Sequence, residues 1–142
     1  MEFLGKIIEG IKKKTPKELI LQTKTCLGMV IVELQSGGKV GKPLQELSKY
    51  LVEIREILYG KDDTETKKQE IQDLSKEIMN TEILYLLIKN LEFLEFESRK
   101  DVEKIFTNLL KLNNNSKYPY VDYILENPQI LEILLLWFFF TI

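Results

Sequence analysis

The 142-residue sequence contains no histidine, and this absence removes several classes of enzyme from consideration. Histidine is the commonest general base and metal ligand, and it activates the nucleophile in many serine and cysteine hydrolases. With Cys26 as the single cysteine, no intramolecular disulfide can form, which favours a reducing compartment. We therefore expect a cytoplasmic, non-enzymatic protein that carries no cofactor.

A strong net charge of either sign is also absent. Twenty basic residues against 22 acidic ones leave a net charge of -2, whereas nucleic-acid binding favours a basic balance. Glu2, Lys6 and Glu9 interrupt the apolar run that a secretory signal needs. The apolar residues 133–142 are fewer than the roughly 20 that span a membrane as a helix. We expect no nucleic-acid partner and no membrane span.

Helical periodicity is what the sequence does contain, in nearly every segment. Apolar residues recur at spacings of three and four, as on the buried face of an amphipathic helix. The apolar content of 44% suffices for one core, so we interpret residues 1–142 as a single all-α domain. Six or seven helices with short loops suit a bundle or a stack of helix pairs. The most regular face comprises Leu44, Leu47, Leu51, Ile54 and Leu58.

Capping and turn residues predict where helices begin and end. Thr15-Pro16 has the composition of a helix start, and residues 36–43, with three glycines and a proline, predict a loop. Gly60 is expected to cap the next helix. Ser98 followed by Asp101 fits a capping box. Further breaks or starts are predicted at Asn80-Thr81, Pro119 and Asn127-Pro128.

Three carboxylates, Glu70, Asp73 and Glu77, share one predicted helix face and could be considered as a metal site. Hard cations need more converging oxygens than one exposed stripe provides, so a solvated acidic face is the better interpretation. Residues 61–65 lack the glycine and the downstream glutamate of a calcium-binding EF-hand loop. We predict no metal.

Other residues that could take part in catalysis or binding also have simpler structural interpretations. Glu92, Glu95 and Glu97 alternate with apolar residues, and without a nearby base they predict a connection with exposed acids and aromatic anchors. Cys26 is expected to be a small buried residue on its helix rather than a reactive thiol. Lys42 after Gly41 lacks the spacing of a phosphate-binding loop, so it belongs to a linker.

The first fourteen residues combine an apolar stripe, Phe3, Leu4, Ile7, Ile8 and Ile11, with the basic run Lys12-Lys13-Lys14. A helix covering the first repeat explains this pattern, and a membrane-surface helix is the alternative. The C-terminal apolar residues leave a related alternative, namely a self-associating or membrane-associated helical protein.

Two blocks of sequence resemble the calcium-binding protein 39 family, also called Mo-twenty-five. The first is Leu51-Val52-Glu53-Ile54-Arg55-Glu56-Ile57-Leu58-Tyr59-Gly60. The second is Phe96-Glu97-Ser98-Arg99-Lys100-Asp101-Val102-Glu103-Lys104-Ile105-Phe106-Thr107-Asn108-Leu109-Leu110. Weaker similarity extends from Phe3-Leu4-Gly5-Lys6 and Thr15-Pro16 to residues 118–135, so the resemblance covers nearly the whole chain.

The resemblance implies an armadillo/HEAT-like solenoid that binds protein kinases or pseudokinases and activates them without catalysis. It also implies that the family's known partner pocket lies in later repeats. No partner-contact residue can therefore be transferred to a position here, and we expect residues 1–142 alone not to activate a kinase. Residues 136–142 depart from the family pattern as an atypical apolar tail. Because solenoids end in a polar cap, we interpret this ending as that of a truncated form.

Overall fold

The computed structural model describes residues 14–39, 41–59 and 64–141, and α-helices dominate these ranges. A 3₁₀ turn at Leu91–Phe93 follows the fourth helix, and an isolated bridge joins Asn114 to Lys117. The all-α class is therefore confirmed. The expected helix at residues 3–11 and the Gly60 cap lie outside the described residues. The helices are α1 Pro16–Gln35, α2 Lys42–Tyr59, α3 Glu65–Asn80, α4 Ile83–Lys89, α5 Phe96–Lys111, α6 Pro119–Glu126 and α7 Gln129–Thr141.

The start of α1 is the predicted one. The backbone N–H of Glu18 donates to the Thr15 hydroxyl over 3.2 Å, and the Glu18 carboxylate accepts from the Thr15 N–H over 3.4 Å. These reciprocal bonds satisfy donors that the first helical turn leaves unpaired. The helix ends where Gly37 adopts a φ of 77°, a left-handed conformation that costs glycine little. Both ends thus follow from local chemistry.

Helix α2 begins inside the segment predicted to be a loop. It starts at Lys42, so Pro43 lies in the first turn rather than in the connection. Proline is compatible with this position because the N–H groups of the first turn need no helical acceptor. Leu47, Leu51 and Leu58 are buried, as the periodicity predicts.

The capping box predicted at Ser98 and Asp101 is wrong. Helix α5 begins earlier, at Phe96, with Glu95 as the preceding residue and no side-chain cap. Ser98 and Asp101 are both buried. They make hydrogen bonds to helix α2 instead of capping their own helix.

The packing order shows how the helices form layers. Helix α2 lies between α1 and α5 and also contacts α3, while α1 packs on α3 and α4 packs on α7. Their buried faces form one hydrophobic cluster that includes Leu27, Leu51, Leu74 and Leu109. Helices α1 and α2 in particular bury their apolar sides against several neighbours, as in stacked helical repeats.

The breaks predicted in the second half are confirmed. Thr81 is the residue after α3, Pro119 is the first residue of α6, and α7 begins directly after Pro128. Helix α7 continues through the atypical tail as far as Thr141. No helix within the described ranges has both the length and the apolar character that crossing a membrane requires.

Candidate functional site

An apolar groove of about 340 Å³ lies between α4, α5 and α7. Phe96, Arg99, Lys100 and Glu103 of α5 also line it, so one side is polar and charged. A volume of this size is within the range of ligand-binding clefts, which are mostly apolar with a few polar groups. We name it the α5–α7 groove. Its apolar lining consists of Ile88, Leu91, Val102, Phe106, Leu134 and Trp137.

Two hydrogen bonds to α2 set the rotation of α5 about its axis. The hydroxyls of Ser48 and Ser98 are 2.9 Å apart, and the guanidinium of Arg55 donates to the Asp101 carboxylate over 2.7 Å. With Ser98 and Asp101 directed at α2, Arg99 falls on a different side of α5, because helix residues turn by about 100° each. The same two bonds therefore help to orient the charged side of the groove.

Phe96 stands at the edge of the groove, 60% exposed to solvent. The Lys100 ammonium nitrogen is 4.4 Å from the centre of its ring, and the Arg99 guanidinium carbon is 5.8 Å from it. Both distances allow attraction between the cations and the ring face. The prediction of aromatic anchors in this connection is wrong, since Leu91 and Leu94 are the buried residues there.

Arg99 carries a donor that is not satisfied. Its Nε atom is buried and has no hydrogen-bond partner in the part of the chain that the structure describes. Leaving a buried donor unpaired costs about 1–3 kcal/mol, and the cost is higher for charged groups. Carboxylates and phosphates are the acceptors that form charge-assisted hydrogen bonds with a guanidinium.

A second, more polar groove of about 610 Å³ lies between α2 and α5. It is lined by Arg55 and Glu56 from α2 and by Glu103, Lys104 and Lys111 from α5. The charges of both signs largely offset one another, and Arg55 is already engaged with Asp101. Such a surface has no preference for a ligand of one charge.

Two of the three carboxylates considered as a metal site, Glu70 and Asp73, are engaged with neighbours on α3. Lys67 lies 3.5 Å from Glu70, and Gln69 donates to Asp73 over 2.8 Å. Across the described ranges, no three side chains of histidine, cysteine, aspartate or glutamate are grouped as metal ligands. Nothing in the described residues therefore points to a metal centre on this face.

The three other carboxylates, Glu92, Glu95 and Glu97, are exposed around the 3₁₀ turn and the start of α5, as predicted. Lys42, expected in a linker, is instead the exposed first residue of α2. Neither group is part of the α5–α7 groove, so neither contributes charge to it.

Cys26 is buried on α1, which confirms the prediction of a small core residue. Its thiol donates to the Glu46 carboxylate on α2, with sulfur and oxygen 3.8 Å apart. Burial first, and then Glu46, raise the pKa of the thiol above its ordinary value of 9.0. At neutral pH the side chain is a thiol, whereas the thiolate is the reactive form.

An aromatic cluster centred on the buried Tyr120 lies beside the groove. The rings of Phe106 and Tyr120 meet edge to face with centres 6.3 Å apart, and Tyr123 lies 5.3 Å from Tyr120. Burial strongly raises the pKa of Tyr120, and the neighbouring Tyr123 adds to the effect. The Tyr120 hydroxyl is buried and makes no hydrogen bond to a described residue. Phe106, which lines the groove, thus packs against a buried aromatic neighbour.

The packed helices and the groove on their surface define the class: this is an all-α, helical-repeat protein. A family model described as Mo25-like matches residues 7–138, and the chain belongs to that family. It is 33% identical over 131 residues to MO25-like protein 2 of Caenorhabditis elegans, covering 89% of this chain and 38% of that protein. The resemblance found in the sequence is therefore confirmed.

Two further relatives extend the comparison to mouse and fission yeast. Calcium-binding protein 39-like of Mus musculus is 36% identical over 122 residues, covering 86% of this chain and 35% of the relative. The Mo25-like protein of Schizosaccharomyces pombe is 36% identical over 113 residues, with coverages of 80% and 34%. The chain therefore spans between 34% and 38% of the length of these three relatives. The family is one of scaffold and adaptor proteins.

Proposed function

We propose that the chain is a non-catalytic scaffold of the type that binds and activates serine/threonine kinases or pseudokinases in the cytoplasm. The observation that carries the proposal is membership of the Mo25-like family over residues 7–138. The groove supports it, because an apolar cleft with an exposed aromatic and an arginine has the composition of protein-binding hot spots.

A scaffold without catalysis can act only through differential affinity. It stabilises the active conformation of a kinase by binding that conformation more tightly than the inactive one. A tenfold shift in the population ratio needs about 1.4 kcal/mol of difference in binding free energy. The proposal therefore requires conformational preference, and tight binding alone is not enough.

The test begins with the native protein, captured by an antibody raised against residues 64–80. We expect the captured material to contain a kinase or pseudokinase. We also expect it to raise the rate of that kinase, or of the kinase bound to that pseudokinase, in a purified assay. Residues 1–142 produced alone, with a mass of 16.7 kDa, are the comparison and are expected to leave the rate unchanged. A native protein that neither retains a kinase nor alters its rate would show that the proposal is wrong.

The second candidate function is self-association or attachment to a membrane surface, and the outer face of α7 favours it. Leu135, Leu136 and Phe139 are 57%, 53% and 73% exposed on this one helix. Contiguous exposed apolar surface marks interaction sites. Sedimentation velocity over a range of concentrations would detect self-association, and flotation with anionic vesicles would detect membrane attachment. A monomer that does not float would remove this candidate.

A further inference from the structure

We propose that the α5–α7 groove binds a leucine-rich acidic segment of a partner protein. In this assignment two leucine-sized side chains occupy the groove and a carboxylate accepts a hydrogen bond from Arg99. The inference deepens the proposed scaffold function and rests on it, because it specifies the chemistry of a bound partner.

The shape and lining of the groove indicate the apolar part of the ligand. Six apolar side chains of the described residues line it, and four of them are aliphatic, from α4, the 3₁₀ turn, α5 and α7. A cavity of roughly 150 Å³ holds one benzene-sized molecule. The groove, at about 340 Å³, has space for two side chains of about that size.

The charged side of the groove indicates the polar part. Arg99 and Lys100 both line the groove and flank the ring of Phe96, and Glu103 is the one acid among the described residues that line it. The Arg99 side chain lines the groove, so a ligand carboxylate would accept a charge-assisted hydrogen bond from its guanidinium and would be attracted by Lys100.

The arrangement favours a protein segment over a free small molecule. Phe96 extends the surface outside the groove, with its ring 60% exposed beneath two cations. A small ligand is usually buried over most of its surface, whereas a peptide lies along an open groove and also contacts its rim. The exposed ring is then covered by residues of the same segment.

Tryptophan fluorescence of the chain itself can measure this binding. Trp137 is the only tryptophan in the sequence, and it lines the groove. Its fluorescence should therefore change when the groove is filled by a peptide that contains no tryptophan. The probe is the blocked peptide acetyl-Glu-Leu-Leu-Glu-Leu-Leu-amide, and its matched control replaces both glutamates by glutamines.

With residues 1–142, we expect saturable binding of the glutamate peptide and about tenfold weaker binding of the glutamine peptide, the loss of one charge-assisted hydrogen bond. Arg99→Gln should bring the affinity for the glutamate peptide down to that of the glutamine peptide. Glu103→Gln should tighten it, because it removes a negative charge from the groove lining. Lys104→Gln is the matched control, since Lys104 lines the other groove on α5.

Several outcomes would overturn the inference. They are equal binding of the two peptides, no response in Trp137 fluorescence, or an unchanged affinity after both Arg99→Gln and Glu103→Gln. Circular dichroism verifies that each variant is folded, and Glu103→Gln keeps the test decisive if Arg99→Gln does not fold. A fluorescence response to laurate or phosphatidylserine vesicles without a response to the peptide would also overturn it.

The assay contains no kinase, so the two proposals can fail separately. Loss of peptide binding with retention of a kinase by the native protein would reject the groove and leave the scaffold function standing. Peptide binding without any kinase retained would reject the kinase proposal. Sedimentation of the same samples shows whether a second copy of the chain, rather than the peptide, fills the groove.

Discussion

Arg55 of α2 donates a 2.7 Å hydrogen bond to the carboxylate of Asp101 on α5, across 46 residues of sequence. The Asp101 side chain is only 8% exposed, whereas that of Arg55 is 30% exposed. The acid is thus withdrawn from water and depends on the arginine for its compensating charge. This pair, together with Ser48 and Ser98, joins the two helices and orients the groove on the other side of α5.

Replacing Arg55 by methionine should destabilise the protein by about 2 kcal/mol. The change leaves a buried carboxylate without its partner, which costs 3–5 kcal/mol in a fully buried pair, and the partial exposure of Arg55 reduces this figure. Urea unfolding followed by circular dichroism measures the difference. Arg55→Met combined with Asp101→Leu should recover part of the loss, since no charge then remains buried.

The matched control for this prediction is Glu56→Gln. Glu56 is an exposed neighbour whose carboxylate lies 3.9 Å from Arg55, so its removal should change the free energy of unfolding by less than about 0.5 kcal/mol. If Arg55→Met and Glu56→Gln had the same small effect, the charge pair would not matter for the packing of α2 on α5.

The helices were predictable because their signals are local. The apolar face of α2 repeats through Leu47, Leu51 and Leu58, and the capping residues of α1 lie three positions apart. The predicted cap at Ser98 is wrong because Ser98 and Asp101 make hydrogen bonds to residues of α2, far away in the sequence. A serine three residues before an acid gives the same sequence pattern whether the pair caps its own helix or bonds to a neighbouring helix. Only the position of α2 shows which of the two occurs here.

The groove was not predictable in this way, because its parts come from three separate helices. Trp137 and Leu134 lie beside α5 because α7 packs on α4. One signal was present locally: Phe96 is followed at spacings of three and four by Arg99 and Lys100, which places both cations beside the ring on a helix. That spacing would have marked one side of the site, and the apolar remainder depends on tertiary packing.

The two serines that join α2 and α5 should be energetically coupled. Ser48 has one hydroxyl hydrogen, which it donates to the Leu44 carbonyl over 3.0 Å, so Ser98 donates to Ser48 over 2.9 Å. Ser48→Ala leaves the buried Ser98 hydroxyl without an acceptor and should cost about 1–2 kcal/mol. The double change to alanine should cost less than the sum of the single changes, by at least about 0.5 kcal/mol.

Thr107→Ala is the control for the comparison of single and double alanine changes at Ser48 and Ser98. Thr107 is an exposed residue of α5, and its hydroxyl donates to the backbone carbonyl of Glu103 in the same helix over 2.9 Å. Its effect should be within about 0.5 kcal/mol and should add to that of Ser48→Ala. Strict additivity of the two serine changes would contradict the bond between them.

The thiol of Cys26 should react slowly with iodoacetamide in the folded protein. Burial, followed by the nearby Glu46 carboxylate, raises the pKa of the thiol, so the reactive thiolate is scarce at neutral pH. The alkylation rate measured against pH should have its midpoint above 9.0 in the folded state. Glu46→Gln should move this midpoint downward, and protein in guanidinium provides the unshifted control. A native midpoint at or below 9.0 would contradict the prediction.

Tyr120→Phe tests the buried hydroxyl at the centre of the aromatic cluster. Because this hydroxyl makes no hydrogen bond to a described residue, its removal should leave the stability unchanged or raise it by up to about 1 kcal/mol. Tyr118→Phe, at a residue that is 45% exposed, is the matched control and should have no effect on the free energy of unfolding. A loss of more than about 1 kcal/mol in Tyr120→Phe would indicate a partner for this hydroxyl.

Tyr120→Phe should also change how the free energy of unfolding depends on pH in the alkaline range. The sign of the change follows from the raised pKa of Tyr120. In the unfolded chain Tyr120 ionises near its ordinary pKa of 10.0, whereas in the folded protein burial keeps it protonated. The free energy of unfolding should therefore fall as the pH rises above about 10, because the unfolded state loses a proton that the folded state retains. Tyr120→Phe should make this decline shallower. Tyr50 and Tyr123, whose pKa values burial also raises, should preserve part of the decline.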